Sequence, residues 1–354
     1  MRNYRRVKWI DPSPARYAVL YHTKPRMLRD IKICLSLRKN FISFKPIPPL
    51  MGEYKLASGT WPYMFPPYAA RPYSLEEVFK MLSELKFDGV ELSGFKPHAH
   101  PELYPTKKDR ADLKSLIESY GLEICGYAAD MGGYAIASNY EEERRLYEKT
   151  FRMNLDFCRD LGIPAMRVDT VSGPKGIPGV PWDVAMKRVI ETFKKCARLA
   201  EDAGVVLVWE FEPGFMFNKP SEIIKIVKEV DHPNFKLMVD TCHAHCCGIG
   251  LNQPYPLEII DVPLSKIAAE FIRRLKGYIG HVHLIDSDNT LNPHNTSTHA
   301  PFGLGVIDFD EVMKALAEVG YSGWLSLDLC FWPQAWEATK DCKKFLDKLV
   351  EKYR

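Results

Sequence analysis

From residue 51 onward the chain repeats one alternation. A short apolar run is followed by a longer stretch whose apolar residues fall three and four apart. The runs YKLASGT (54–60), DGVELSG (88–94), EICGYAA (123–129), AMRVDTV (165–171), VVLVWEF (205–211), KLMVDTC (236–242), GHVHLID (280–286) and WLSLDLC (324–330) read as eight strands. Helices are expected from Ser74 (SLEEVFKMLSEL), over 107–121, 139–162, 181–204, 221–230, about 264–277 and 308–320, and at the end of the chain. Ser74 and Glu77 have capping-box spacing, and Gly121, Gly162, Gly204, Gly277 and Gly320 stand where helices should stop. Strands alternating with helices imply parallel pairing through crossovers. Eight such units predict an α/β fold, a closed (β/α)8 TIM barrel forming a single domain over residues 51–354. No G-x-G-x-x-G follows the first strand and there is no Walker sequence, which removes support for an open nucleotide-binding sheet.

Composition adds less. The chain is 46% hydrophobic and 26% charged, ordinary for a globular protein. No run approaches the roughly 20 apolar residues of a membrane span. Nine cysteines, odd in number and irregularly spaced, argue against a disulfide framework and for a reducing, cytoplasmic setting. The net charge of +3 hides an asymmetry. Residues 1–50 carry twelve Lys or Arg against two acids, a net of +10, which leaves −7 on the remainder. These residues form a basic N-terminal extension, either an appended tail or sequence upstream of a start at Met51. The extension could meet nucleic acid or anionic lipid, but it lacks the apolar core of a secretory signal.

The chemistry gathers at strand ends. VVLVWEF runs a greasy strand into Glu210 and Glu212, and a buried carboxylate must be paired, protonated or metal-bound. In a barrel, catalytic groups sit at the C-terminal ends of strands. Glu91, Asp130, Arg167 with Asp169, Asp240 with His243 and His245, His281 with His283, Asp286, Asp288 and Asp328 all fall there. Glu210, Asp240, His283 and Asp328 end strands five to eight, which are consecutive neighbours. Any one alone reads as a helix cap or salt-bridge partner. Together they would repel one another without one divalent metal ion, and carboxylates with a single His suit Mn²⁺ first, with Mg²⁺, Co²⁺ or Zn²⁺ as alternatives.

GVVLVWEFEP, KLMVDTCHAH, GHVHLIDSD and FGLGVIDFDEVMKALAEVGYSGWLSLDL resemble the sugar phosphate isomerase/epimerase superfamily, with its xylose-isomerase-like barrel. The likeness is strongest from Gly204 to Leu329, extends weakly back to Met51, and leaves residues 1–50 uncovered. It implies metal ligands at Glu210, Asp240, His283 and Asp328. It also implies proton transfer next to a ketose carbonyl through an enediolate, with Glu210 and Asp328 as catalytic acid and base. His243 would bind a substrate hydroxyl, and homo-oligomers (dimers or tetramers) are common in the family. Two departures stand out: the strand-eight ligand is Asp328 rather than the usual Glu, and Asn289 stands near the place of an Arg that binds phosphate or hydroxyl. A phosphorylated substrate loses support, and a single remaining base would suit isomerisation or elimination.

Other residues carry weaker signals. Glu212 shares the Glu210 side of its strand and could be an extra base, a supporting partner, or a salt bridge to Lys219 or Arg167. Trp61, Arg167 and His281 are further candidates for the substrate site. Cys242, Cys246 and Cys247 read as small buried hydrophobes. His98 and His100 either line the pocket mouth or lie in an exposed loop. HNTSTHAPFG (294–303) is a polar loop that could act as a lid. A metal-dependent sugar isomerase or epimerase is therefore the leading expectation. A lyase acting on a keto-inositol or an oxidised glycoside is the runner-up. An endonuclease-like hydrolase conflicts with the −7 body, and a non-catalytic sugar-binding barrel would hold no metal.

Overall fold

The computed structural model describes residues 53 to 353, so the basic segment 1–50 lies outside the described residues. Seven of the expected strands follow in order: β1 (Tyr54–Gly59), β2 (Gly89–Ser93), β3 (Glu123–Ala128), β4 (Ala165–Val168), β5 (Val206–Glu210), β6 (Phe235–Asp240) and β7 (Ile279–Leu284). A hairpin, β8 (Asp286–Leu291) and β9 (Ser297–Ala300), precedes the eighth barrel strand, β10 (Gly323–Leu327). Every barrel pairing is parallel, and β10 closes the ring between β7 and β1. The helices are α1 (Leu75–Glu84), α2 (Lys107–Ser119), α3 (Glu141–Leu161), α4 (Trp182–Asp202), α5 (Pro220–Val230), α6 (Thr241–Gly248), α7 (Ile267–Arg274), α8 (Phe309–Val319) and α9 (Ala335–Lys352). Ser74 and Glu77 make both halves of the capping box on α1. None of the described helices is long and apolar enough to cross a membrane.

Two elements escaped the sequence reading. Helix α6 leaves β6 with no loop, and all eight of its residues are buried, so it has no polar face to set a period. The β8–β9 hairpin is polar (DSDNTL and STHA) and hides within what reads as a loop. Its base is anchored on Asp286, whose carboxylate accepts the backbone N–H groups of Gly303, Gly305 and Ile307 at 3.0 Å each. A Cβ at Gly305 would stand 2.3 Å from Asp286 Oδ1, which explains the glycine there.

The strands bury both faces, but differently. Leu207 and Trp209 point out into the main core beneath the helices, while Ala165, Val208 and Met238 form a small plug inside the barrel. With a period of two, the next inward positions after Ala165, Val208 and Met238 are Arg167, Glu210 and Asp240. The apolar plug therefore carries a polar layer at the C-terminal mouth. All eight cysteines among the described residues are free thiols, and Cys242, Cys246 and Cys247 are buried in the core.

Candidate active site

The structure gathers Asp240, His283 and Asp328 into one group that could hold an ion, and sets Glu210 beside His283. Asp240 and His283 are direct partners across β6 and β7. Glu210 aligns with Met238, two residues before Asp240, and Ser326 aligns with His283, two residues before Asp328. The stagger of a closed barrel makes up the difference. His283 Nδ1 lies 3.5 Å from Glu210 Oε1, 3.9 Å from Asp240 Oδ2 and 3.5 Å from Asp328 Oδ2. His283 Nδ1 and Asp240 Oδ2 are buried and have no hydrogen-bond partner. Donors held about 2.0–2.2 Å from a shared ion stand roughly 3–4 Å apart, so Asp240, His283 and Asp328 fit one divalent cation, with Glu210 Oε1 close to His283 Nδ1.

Each ligand is fixed from behind. Asp240 caps α6, its Oδ1 accepting the His243 N–H at 2.8 Å while Oδ2 faces the site. Asp328 Oδ1 accepts from Trp61 Nε1 at 2.9 Å and from the Cys330 N–H at 2.7 Å. Arg167 donates from Nε to Glu210 Oε2 at 2.7 Å and pairs with Asp169, so it ties down the acids of two strands. Beneath them Glu91, fully buried, accepts from the Nε2 atoms of His281 and His283 at 2.9 Å each. With Glu91 ionised, this bond places a proton on His283 Nε2, so an ion would meet the ring at Nδ1. His281, expected at the substrate, thus sits one layer deeper. It shares the inward face of β7, but the period of two carries only His283 to the mouth.

Above the ligands lies a cavity of about 280 Å³, lined among others by Trp61, Arg167, Glu210, Glu212, His243 and Asp328. His243 Nδ1 meets Ser297 Oγ at 2.8 Å, and its Nε2 faces Glu212 Oε2 at 3.8 Å. Glu212 also bonds the Thr296 hydroxyl and lies 3.7 Å from Arg167. The residue missed by the sequence reading is His299. The β8–β9 hairpin carries it to 3.3 Å from Asp328 Oδ1 and 3.9 Å from Asp240 Oδ1. Only its place in a polar loop, without a strand-end position, was visible in the sequence. Other candidates lie elsewhere. His98 bonds the Tyr73 carbonyl, His100 caps a short turn, and His245 pairs with Asn289. Trp209 packs outward on Phe193 and Phe211.

The electrostatics are those of crowded acids. Burial pushes the Glu210 carboxyl up, but Arg167 and His283 outweigh it and hold it at about 2. Burial, then the charge of Glu210, lifts Glu212 to about 7. Burial, with Asp328 and Glu210 adding to it, raises Asp240. Burial drops His243 to about 3, so it is a neutral hydrogen-bonding ring.

A closed parallel (β/α)8 barrel with a cavity at its C-terminal mouth, floored by carboxylates and imidazoles, defines the class: a TIM barrel. The chain belongs to the xylose isomerase-like TIM barrel family, whose model matches residues 79–348. Fructoselysine 3-epimerase of Escherichia coli O157:H7 is 25% identical over 263 residues, 72% of this chain and 85% of that one. Inosose dehydratase of Clostridium beijerinckii is 26% identical over 251 residues, 68% of this chain and 79% of that one. The fold is also that of a solved IOLI protein with a bound zinc atom. The TM-score is 0.65 at 18% identity, covering 85% of this chain and 99% of that one.

Proposed function

We propose that this protein is a divalent-metal-assisted enzyme that moves a proton next to the carbonyl of a small keto-sugar, as an isomerase or epimerase. The observation that carries this is the pair of unpartnered buried atoms, Asp240 Oδ2 and His283 Nδ1, which share one point with oxygens of Glu210 and Asp328. Three carboxylates and one imidazole suit Mn²⁺. A divalent ion held there would polarise a carbonyl oxygen and offset the charge that develops as the neighbouring proton leaves. Glu210 is the proton acceptor, because Arg167 keeps it ionised and aimed into the cavity. His243, Glu212 and Trp61 line the same space and hold the sugar. Asp328, one methylene shorter than Glu210 and held on Oδ1 by Trp61 and the Cys330 N–H, serves as ligand and falls short of a substrate carbon. That favours one-base chemistry, and it supports a second reading, dehydration of a keto-polyol, the reaction named for one relative.

The test is solvent deuterium incorporation into a panel of ketoses and keto-inositols with Mn²⁺ or Co²⁺. Wild type should exchange a carbon-bound proton beside the carbonyl, and Glu210→Gln should not. Exchange that persists in Glu210→Gln removes the proposed base. Release of water from the substrate selects the dehydratase reading.

A further inference from the structure

The cavity has two zones. Its floor is polar and buried. Its outer wall is built from Phe65, Phe95, Phe215 and Phe331, all half-buried, which follow β1, β2, β5 and β10. Phe65 and Phe331 stack with centroids 5.6 Å apart, Phe95 meets Phe65 edge-on at 5.3 Å, and His294 from the hairpin tip stacks on Phe331 at 4.1 Å. We propose that this collar receives an uncharged aryl substituent carried by the keto-sugar, so that the substrate is an aryl-bearing sugar derivative and not a free ketose or a sugar phosphate. The inference rests on the function proposed above.

Four observations support it. Arg167 is the sole Lys or Arg lining the cavity among the described residues, and it is taken by Asp169, Glu210 and Glu212, so no guanidinium or ammonium is free for a phosphate or carboxylate. The collar offers a hydroxyl little: Thr296 is committed to Glu212, and the His294 ring lies against Phe331. A sugar hydroxyl placed among these rings would give up water without replacement, whereas an aryl group would gain stacking. Finally, Phe331 is held at φ +61°, a conformation costly for a bulky residue. Such strain collects where a ligand is clamped.

The experiment measures binding by titration calorimetry to the Mn²⁺-loaded full chain, using one keto-sugar scaffold, a 3-keto-glucoside, with methyl, cyclohexyl or phenyl as the aglycone. Wild type should bind the phenyl compound roughly tenfold or more tighter than the methyl one, as aromatic contact and buried apolar area require. The ratio should fall toward one in Phe331→Gly, which suits the positive φ and should fold, and also in Phe65→Leu. Equal affinity for methyl and phenyl in wild type overturns the inference while leaving the proposed function standing. So does a phenyl preference that survives both substitutions. A cyclohexyl compound that matches phenyl would refute the aryl assignment in favour of general apolarity. If no compound binds, and no ketose exchanges deuterium, the inference falls together with the function it rests on.

Discussion

Glu91 offers the sharpest test of how the site is organised. It is fully buried and accepts two imidazole N–H bonds at 2.9 Å, from His281 and His283. Glu91→Gln keeps the shape and one acceptor oxygen but removes the charge. Hydrogen bonds to a charged group contribute about 1.5–3 kcal/mol against about 0.5–1.5 for neutral ones, so each of the two bonds loses roughly 1 kcal/mol. Removing the outer partner of a metal-bound His lowers metal affinity about 10- to 100-fold, about 1.4–2.7 kcal/mol, and the two estimates overlap. The assay is competition for Mn²⁺ or Zn²⁺ against a chelating dye, beside urea unfolding of the metal-free protein. The expected result is a dissociation constant at least tenfold weaker, together with a loss of about 2 kcal/mol in the metal-free stability. A loss of stability with a dissociation constant within twofold of wild type would refute the reasoning, because Glu91 would then hold the barrel without orienting His283.

Further outcomes follow from the same geometry. Arg167→Met leaves Asp169, Glu210 and Glu212 uncompensated in a buried layer and should cost about 3–5 kcal/mol in urea unfolding at neutral pH. Gly305→Ala drives a Cβ to 2.3 Å from Asp286 Oδ1 and should cost about 1–3 kcal/mol in thermal unfolding, with the hairpin loosened. Metal affinity should depend on pH. Burial, with Asp328 and Glu210 adding to it, lifts Asp240 to about 7, so in the metal-free protein it carries a proton below that pH. The ion must expel this proton and that of His283, which, despite burial, Glu91 and the acids at the site hold well above its usual range, so affinity should fall at least roughly tenfold per pH unit below about 7 and keep rising above it. A flat profile between about pH 5 and 7 in the dye assay would contradict this.

The barrel was legible because its strands and helices alternate in period and its helix stops are glycines. All eight strands fall within a residue or a few of their expected bounds. Glu210, Asp240, His283 and Asp328 were legible for a related reason: a carboxylate or imidazole at the end of an apolar strand contradicts its surroundings. Glu91 was read as a strand-end acid but lies in the middle of β2. Its role was hidden because nothing in a sequence says that β2 lies across the barrel from β7. His281 misled in the opposite way, since alternation gives the face of a strand but not the depth along it. His299 was invisible for want of any periodic signal, its hairpin being short and polar with a core face of only a few residues.

The layer at the mouth makes sense as a balance of charge among groups that cannot leave. Arg167 sets one positive charge among Asp169, Glu210 and Glu212, with Glu212 raised to about 7 by burial and by Glu210, and Glu91 accepts two imidazole N–H groups. Asp240 and Asp328 face His283 Nδ1 at 3.9 and 3.5 Å, and although burial disfavours the charged ring, Glu91 and the acids around it hold His283 well above its usual range. His299 approaches both acids from the hairpin, yet neither of its ring nitrogens makes a hydrogen bond. Without an ion, protons on Asp240, His283 and His299 offset these acids, each of the three groups being raised above its usual range. A cation at their common point satisfies all of them at once. Arg167 and Glu91 fix the acids and the His283 ring around that point, so that a divalent ion entering there would displace the protons.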